Sequence, residues 1–203
     1  MASKRTPRKS ARAKRATTRK ASRARTTRRN DIITDLTNDH DRLKALFRKF
    51  GRMKDGNAQA ARIVQEACRE LEIHTALEER VFYPAVRDEI RQELLIDEAE
   101  VEHESARRLM ADLQRLEPRD PRYAATFRVL MEHVGNHIEA EERRIFPQVR
   151  RARIDRAAMA EKARTMRQEL MSAREREPAI APPPRELGQR PRGETRQREP
   201  IRH

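Results

Sequence analysis

The stretch HIEAEERRIFPQVR (residues 137–150) aligns without a gap on HTALEERVFYPAVR (residues 74–87). A shift of 63 residues places His74 on His137, Glu78 on Glu141, Glu79 on Glu142, Tyr83 on Phe146 and Pro84 on Pro147. It also places His40 on His103 and Leu46 on Leu109. The middle of the chain therefore reads as two similar helical hairpins. Each contributes a lone histidine from its first helix and a His-x-x-x-Glu pair from its second. Side chains four apart in an α-helix lie on one face, one turn above each other. His74 and Glu78 thus point the same way, as do His137 and Glu141. His40 stands among Leu36, Leu43 and Phe47, and His103 among Ala99, Ala106 and Met110. All four histidines are expected to face a bundle interior beside two carboxylates. Glu79 and Glu142, rotated by about 140° from their histidines, are expected to face solvent.

A helical interior also follows from composition. The 203 residues are 39% charged and 3% aromatic, with no Trp and five Gly. A core of Leu, Ile, Val, Met and Ala packed between helices suits this chain better than sheets do. The helices are expected at about 31–53, 58–83, 86–117 and 122–146. They are separated by KDGN (54–57), Pro84 and EPRDP (117–121). A short amphipathic helix over about 155–172 is expected to pack on the outside. The short connections give an all-α, up-down-up-down four-helix bundle.

The net charge of +14 is unevenly placed. Residues 1–29 carry +13 and residues 174–203 carry +3, which leaves residues 30–173 at −2. The domain plan is thus a disordered basic tail (1–29), a bundle (30–153), an accessory helix (154–173) and a disordered Pro/Arg-rich tail (174–203). The basic tail carries Lys4, Arg5, Arg8, Lys9, Arg12, Lys14, Arg15, Arg19, Lys20, Arg23, Arg25, Arg28 and Arg29. Such a polycation is expected to associate with nucleic-acid phosphates without base preference. A merely solubilising tail is the bland alternative, and no apolar anchor accompanies the charge to favour a membrane. The single cysteine, Cys68, cannot form an internal disulfide and fits a reducing compartment. No signal-peptide core is evident, so a cytoplasmic, perhaps nucleoid-associated protein is expected. Nucleophile motifs, Gly-rich phosphate loops and nucleotide fingerprints do not stand out.

Buried carboxylates are costly unless paired or bound to a metal. Imidazole with carboxylate suits iron, zinc or manganese, and a carboxylate can bridge two ions. One His-x-x-x-Glu alone is weak, since it also occurs as a surface pair, and a lone His on an apolar face is usually a core residue. Six positions obeying one shift favour a dinuclear metal site over a metal-free bundle.

On NDHDRL (38–43), HTALEERVFYP (74–84), VEHESARRL (101–109) and HIEAEERRIFP (137–147), the chain resembles the hemerythrin-like, or HHE cation-binding, family over residues 31 to about 152. Ferritin-like bundles carry Glu-x-x-His instead. The resemblance implies a non-haem diiron centre bridged by oxo or hydroxo. His40, His74, His103 and His137 would be terminal ligands, and Glu78 and Glu141 bridging carboxylates. Oxygen-carrying members use a further histidine four residues from the one on the third helix. Here Ala99 and Arg107 stand at that spacing, and neither can serve. His133, one turn before His137, and its counterpart Glu70 could be an extra ligand, partners that hold His137 and His74, or outer polar residues. The implied functions are binding or sensing of iron, dioxygen, peroxide or nitric oxide. An enzyme with peroxidase-like, catalase-like or nitric-oxide-consuming activity is the first alternative, and a nucleoid-associated scaffold the second.

Overall fold

The computed structural model describes residues 31–54, 57–90 and 93–176. The expected basic tail and the C-terminal segment beyond Arg176 lie outside the described residues. Five helices and no strands are present among the described residues. Helix α1 is Ile32–Phe50 and α2 begins as Ala58–Leu77. Helix α3 is Glu93–Arg115, α4 begins as Pro121–Ala140, and α5 is Arg156–Arg176. Helix α1 packs on α2 and α3 on α4, so each half of the repeat forms a hairpin. Among the described residues no helix is long and apolar enough to cross a membrane.

The repeat extends to the helix starts. Asn57 caps α2 by accepting a hydrogen bond from the Gln59 amide, and Asp120, its counterpart under the shift, caps α4 through the Arg122 amide. It also extends to the prolines. Pro84 and Pro147 neither end nor sharply break their helices. Each is preceded by one wide π-helical turn, Glu78–Phe82 and Glu141–Ile145. The Tyr83 amide donates to the Glu78 carbonyl and the Phe146 amide to the Glu141 carbonyl, five residues back. A proline ring collides with the carbonyl four residues before it and has no N–H to give. The wider turn removes both conflicts, and such turns recur at functional sites. Helix α2 then continues over Tyr83–Val86 and α4 over Phe146–Arg151.

Three sequence boundaries are thereby corrected. The third helix starts at Glu93, because Val86 closes α2 and Ile90 folds back on it through its amide to the Val86 carbonyl at 3.0 Å. The fourth element runs to Arg151 rather than stopping at Phe146. The fifth helix is not short: its 21 residues pass Ser172 to Arg176. Its fully buried face is Met159, Ala160 and Ala163, followed by the partly buried Met166, and beyond it the turns become mainly exposed.

Apolar side chains form two clusters. One gathers Ile32, Leu36, Leu77, Phe82, Val149 and Ala160. The other gathers Leu43, Phe47, Val64, Leu71, Phe127 and Leu130. His40 lies between Leu36 and Leu43, and His74 between Leu71 and Leu77, so the histidines mark the changeover between clusters. Replacing Asp120→Ala should cost about 1 kcal/mol. Thermal melting should show a midpoint lower by about 2–4 °C with an unchanged helical spectrum.

Candidate metal centre

Four imidazoles and two carboxylates meet at this changeover. His40, His74, His103, His137, Glu78 and Glu141 are each at most 3% exposed. Their donor atoms fall into two groups, His40, His74, Glu78 and Glu141 in one and Glu78, His103 and His137 in the other, each within 4.8 Å. The Nε2 atoms of His40 and His74 are 3.2 Å apart, and those of His103 and His137 are 3.1 Å apart. Glu78 Oε2 lies 3.2 Å from His74 Nε2 and 3.3 Å from His103 Nε2, so one carboxylate spans the two pairs. Glu141 Oε2 does likewise, 3.3 Å from His40 Nε2 and 3.6 Å from His137 Nε2.

The outward nitrogens explain why the inner ones point in. Three of the four Nδ1 atoms meet a carboxylate at hydrogen-bond distance. His40 meets Glu142 Oε1 at 2.9 Å, His103 meets Glu79 Oε1 at 2.9 Å, and His137 meets Glu102 Oε2 at 2.9 Å. His74 Nδ1 faces Asp39 Oδ2 at 3.6 Å, close enough for charge attraction but without a hydrogen bond. A carboxylate accepting from Nδ1–H fixes the tautomer and leaves the Nε2 lone pair as a donor to a metal. This corrects the expectation that Glu79 and Glu142 face solvent. The helical rotation carries them away from their own histidines and onto the histidine of a neighbouring helix. Asp39 and Glu102 were missed altogether. They are also 63 residues apart, as are Glu79 and Glu142, so the repeat was the signal that could have found them.

A further layer neutralises these acids. Asp39 pairs with Arg42 and with Arg167 from α5. Burial pushes its carboxyl up, but His74 and the two guanidinium groups hold it below the usual carboxylate range. Glu142 pairs with Lys44 at 2.9 Å and Glu79 with Arg107 at 2.6 Å. Arg107, unable to be a ligand, thus acts on a ligand's partner. Glu70 stands one step further out, holding Arg42 at 3.2 Å. His133 is exposed and has no place in the cluster. Cys68 is half-buried against the second apolar cluster and plays no part here.

Two aromatic side chains close the ends. Phe146 stacks on His40 with ring centroids 5.6 Å apart, and Tyr83 on His103 at 5.7 Å. They are repeat counterparts with one difference: the Tyr83 hydroxyl donates to Glu141 Oε1 at 2.9 Å. Burial and the nearby Glu141 and Glu78 hold that phenol well above its usual value, so it remains a donor.

Both Glu78 oxygens and Glu141 Oε2 are buried without a hydrogen-bond partner. Such orphaned carboxylates demand a cation. The nitrogen spacings fit one: two imidazole nitrogens about 2.1 Å from a common ion, roughly at right or tetrahedral angles, lie about 3.0–3.4 Å apart. Without an ion, protons do the balancing. Burial alone drives His137 toward its neutral form, yet Glu141, Glu102 and Glu78 hold its imidazolium up to about 10. Burial likewise opposes ionisation of Glu78, but His74, His103 and His137 hold it well below the usual range.

The sign of the pH dependence follows. In the metal-free protein, the His137 contribution to stability is complete below its ordinary value of 6.5 and is lost as pH rises toward about 10. Melting temperatures with a chelator should therefore fall across that window. The metal-loaded protein should lack this decline, since metal displaces the protons, and its affinity should strengthen as pH rises.

The hemerythrin HHE cation-binding domain family matches residues 31–149. The fold is similar to the crystal structure of a hemerythrin HHE cation-binding domain-containing protein from Mycobacterium kansasii. The two chains are 22% identical with a TM-score of 0.62, over 70% of this chain and 88% of that one. No match was found among curated proteins. With the matched region enclosing all four histidines and both glutamates of the centre, the chain belongs to the hemerythrin HHE cation-binding domain family.

Proposed function

We propose that this protein is a non-haem diiron protein that binds or senses a small exogenous ligand such as dioxygen, peroxide or nitric oxide. The observation that carries the reading is the pairing of imidazole nitrogens, two by two, around two carboxylates of whose four oxygens three have no hydrogen-bond partner. His40 and His74 would hold one ion, His103 and His137 the other, with Glu78 and Glu141 shared. Mixed imidazole and carboxylate donors in a bundle interior suit iron, while zinc and manganese are tolerated by the same donors. A ferrous pair supplies electrons and a vacant coordination position for a small ligand.

The chain's own residues set the conditions. The carboxylates on Nδ1 orient the imidazoles and raise their basicity. Phe82, Phe127 and Phe146 are fully buried and keep the surroundings dry. Tyr83 ties down one oxygen of Glu141, whereas Phe146 offers Glu78 nothing. The two shared carboxylates are thus unequal, and Glu78 is the freer to change its binding mode.

Iron-loaded protein should bind nitric oxide or peroxide stoichiometrically, with an optical change that His74→Ala removes. Steady-state consumption of either, well above that of free iron and lost in His74→Ala, would instead establish an enzyme. The +13 carried by residues 1–29 motivates a second element, association with nucleic acid. If about eight of those charges meet phosphates, affinity should fall with a log–log salt slope of roughly −7. Deleting the tail should abolish binding, and a deletion that leaves it unchanged would remove this element.

A further inference from the structure

The repeat equips both halves with the same inner groups, but the surrounding walls differ. In the first half, α5 lies over α1 and α2. It buries Met159, Ala160 and Ala163 in the cluster that contains Ile32, Leu36 and Leu77, and Arg167 reaches Asp39. The Asp39 side chain is 2% exposed, whereas its counterpart Glu102 is 44% exposed. No Lys or Arg pairs with Glu102 among the described residues.

Beside Glu102, a cleft of about 30 Å³ runs between α3 and α4 to His137 and Glu141. Its walls include Ala99 and Ala140, with Arg144 at the rim. Shifting back by 63 residues explains why it exists there. Ala99 corresponds to Leu36, Ala140 to Leu77 and Arg144 to Val81. In the first half these are buried apolar side chains that fill the wall. In the second half two leucines have become alanines and a valine an exposed arginine. Glu141, whose Oε2 is orphaned, is among the residues that line this gap.

We propose that exogenous ligands enter by this seam and meet the ion held by His103 and His137, the His40–His74 side being closed by Leu36, Leu77 and α5. This rests on the diiron reading above. A water fills about 10–15 Å³ of such space, so the cleft takes a molecule of two or three heavy atoms and excludes organic substrates. Arg144, which meets Glu98 at 3.5 Å, and Glu102 give the mouth both signs of charge. A small anion must pass these groups, whereas a neutral gas passes freely.

The test uses the full-length, iron-loaded chain with azide as probe, followed by stopped-flow absorption. Ala140→Leu copies the first half's wall. It should slow azide association by about tenfold or more, within the decades over which such rates vary. Iron content and the resting spectrum should be unchanged. Arg144→Ala enlarges the mouth without touching the core and should alter the association rate and its salt dependence. A crystal soaked in azide should show it against the ion beside His137. Unchanged kinetics in both variants, or azide against the ion beside His40, would overturn the route while leaving the diiron reading intact. A chain that takes up no iron would overturn both, and metal analysis separates the two failures.

Discussion

Two buried carboxylates, with three orphaned oxygens between them, lie at the centre of this protein, and almost every other feature can be traced to keeping Glu78 and Glu141 there. An unpaired carboxylate in an apolar interior is costly enough that it normally neutralises or leaves. Here both stay fully buried. Four imidazoles converge on the pair, four outer carboxylates orient the imidazoles, and Arg42, Arg167, Lys44 and Arg107 balance three of those acids. The charges alternate outward in shells, and each shell is fixed by the next. The donor atoms of the centre already stand in two groups, each within 4.8 Å, that could hold a metal ion.

Helical geometry makes the shells reproducible. One hairpin delivers a histidine and its preceding acid from one helix, then His-x-x-x-Glu-Glu from the next. Duplicating the hairpin with a pseudo-two-fold relation lets the outer acid of one half serve the histidine of the other, as Glu79 does for His103 and Glu142 for His40. Neither half is complete by itself. The π turns before Pro84 and Pro147 let each helix carry an aromatic residue past the glutamate to cover an imidazole across the bundle. The departures from symmetry then carry the specific information. They are Tyr83 against Phe146, Asp39 against the exposed Glu102, and the leucines of the first wall against the alanines of the second.

Much of this was legible in the residues. The 63-residue shift brought out the six central side chains, because period and spacing determine which face a helical residue takes. The outer acids were harder. A helical wheel gives the angle of Glu79 from His74 but not the position of the next helix, so a residue turned off the centre looked solvent-facing when it met α3. Asp39 and Glu102 sit beside histidines on helices whose partners the sequence does not specify. The length of α5 escaped for another reason: beyond Met166 its side chains are mostly exposed, and exposed polar turns carry no hydrophobic period. His133 showed the limit of spacing alone. One turn from a candidate ligand, it is nevertheless exposed, while its neighbours Leu130 and Val134 take the buried face.

The central claim is that Glu78 and Glu141 are shared by two ions, each bound by one histidine pair. Anomalous diffraction at the iron edge from crystals of the iron-loaded protein measures this directly. The account predicts two peaks per chain, one beside the Nε2 atoms of His40 and His74 and the other beside those of His103 and His137, with both carboxylates between them. A single peak, none, or peaks away from these side chains would contradict it.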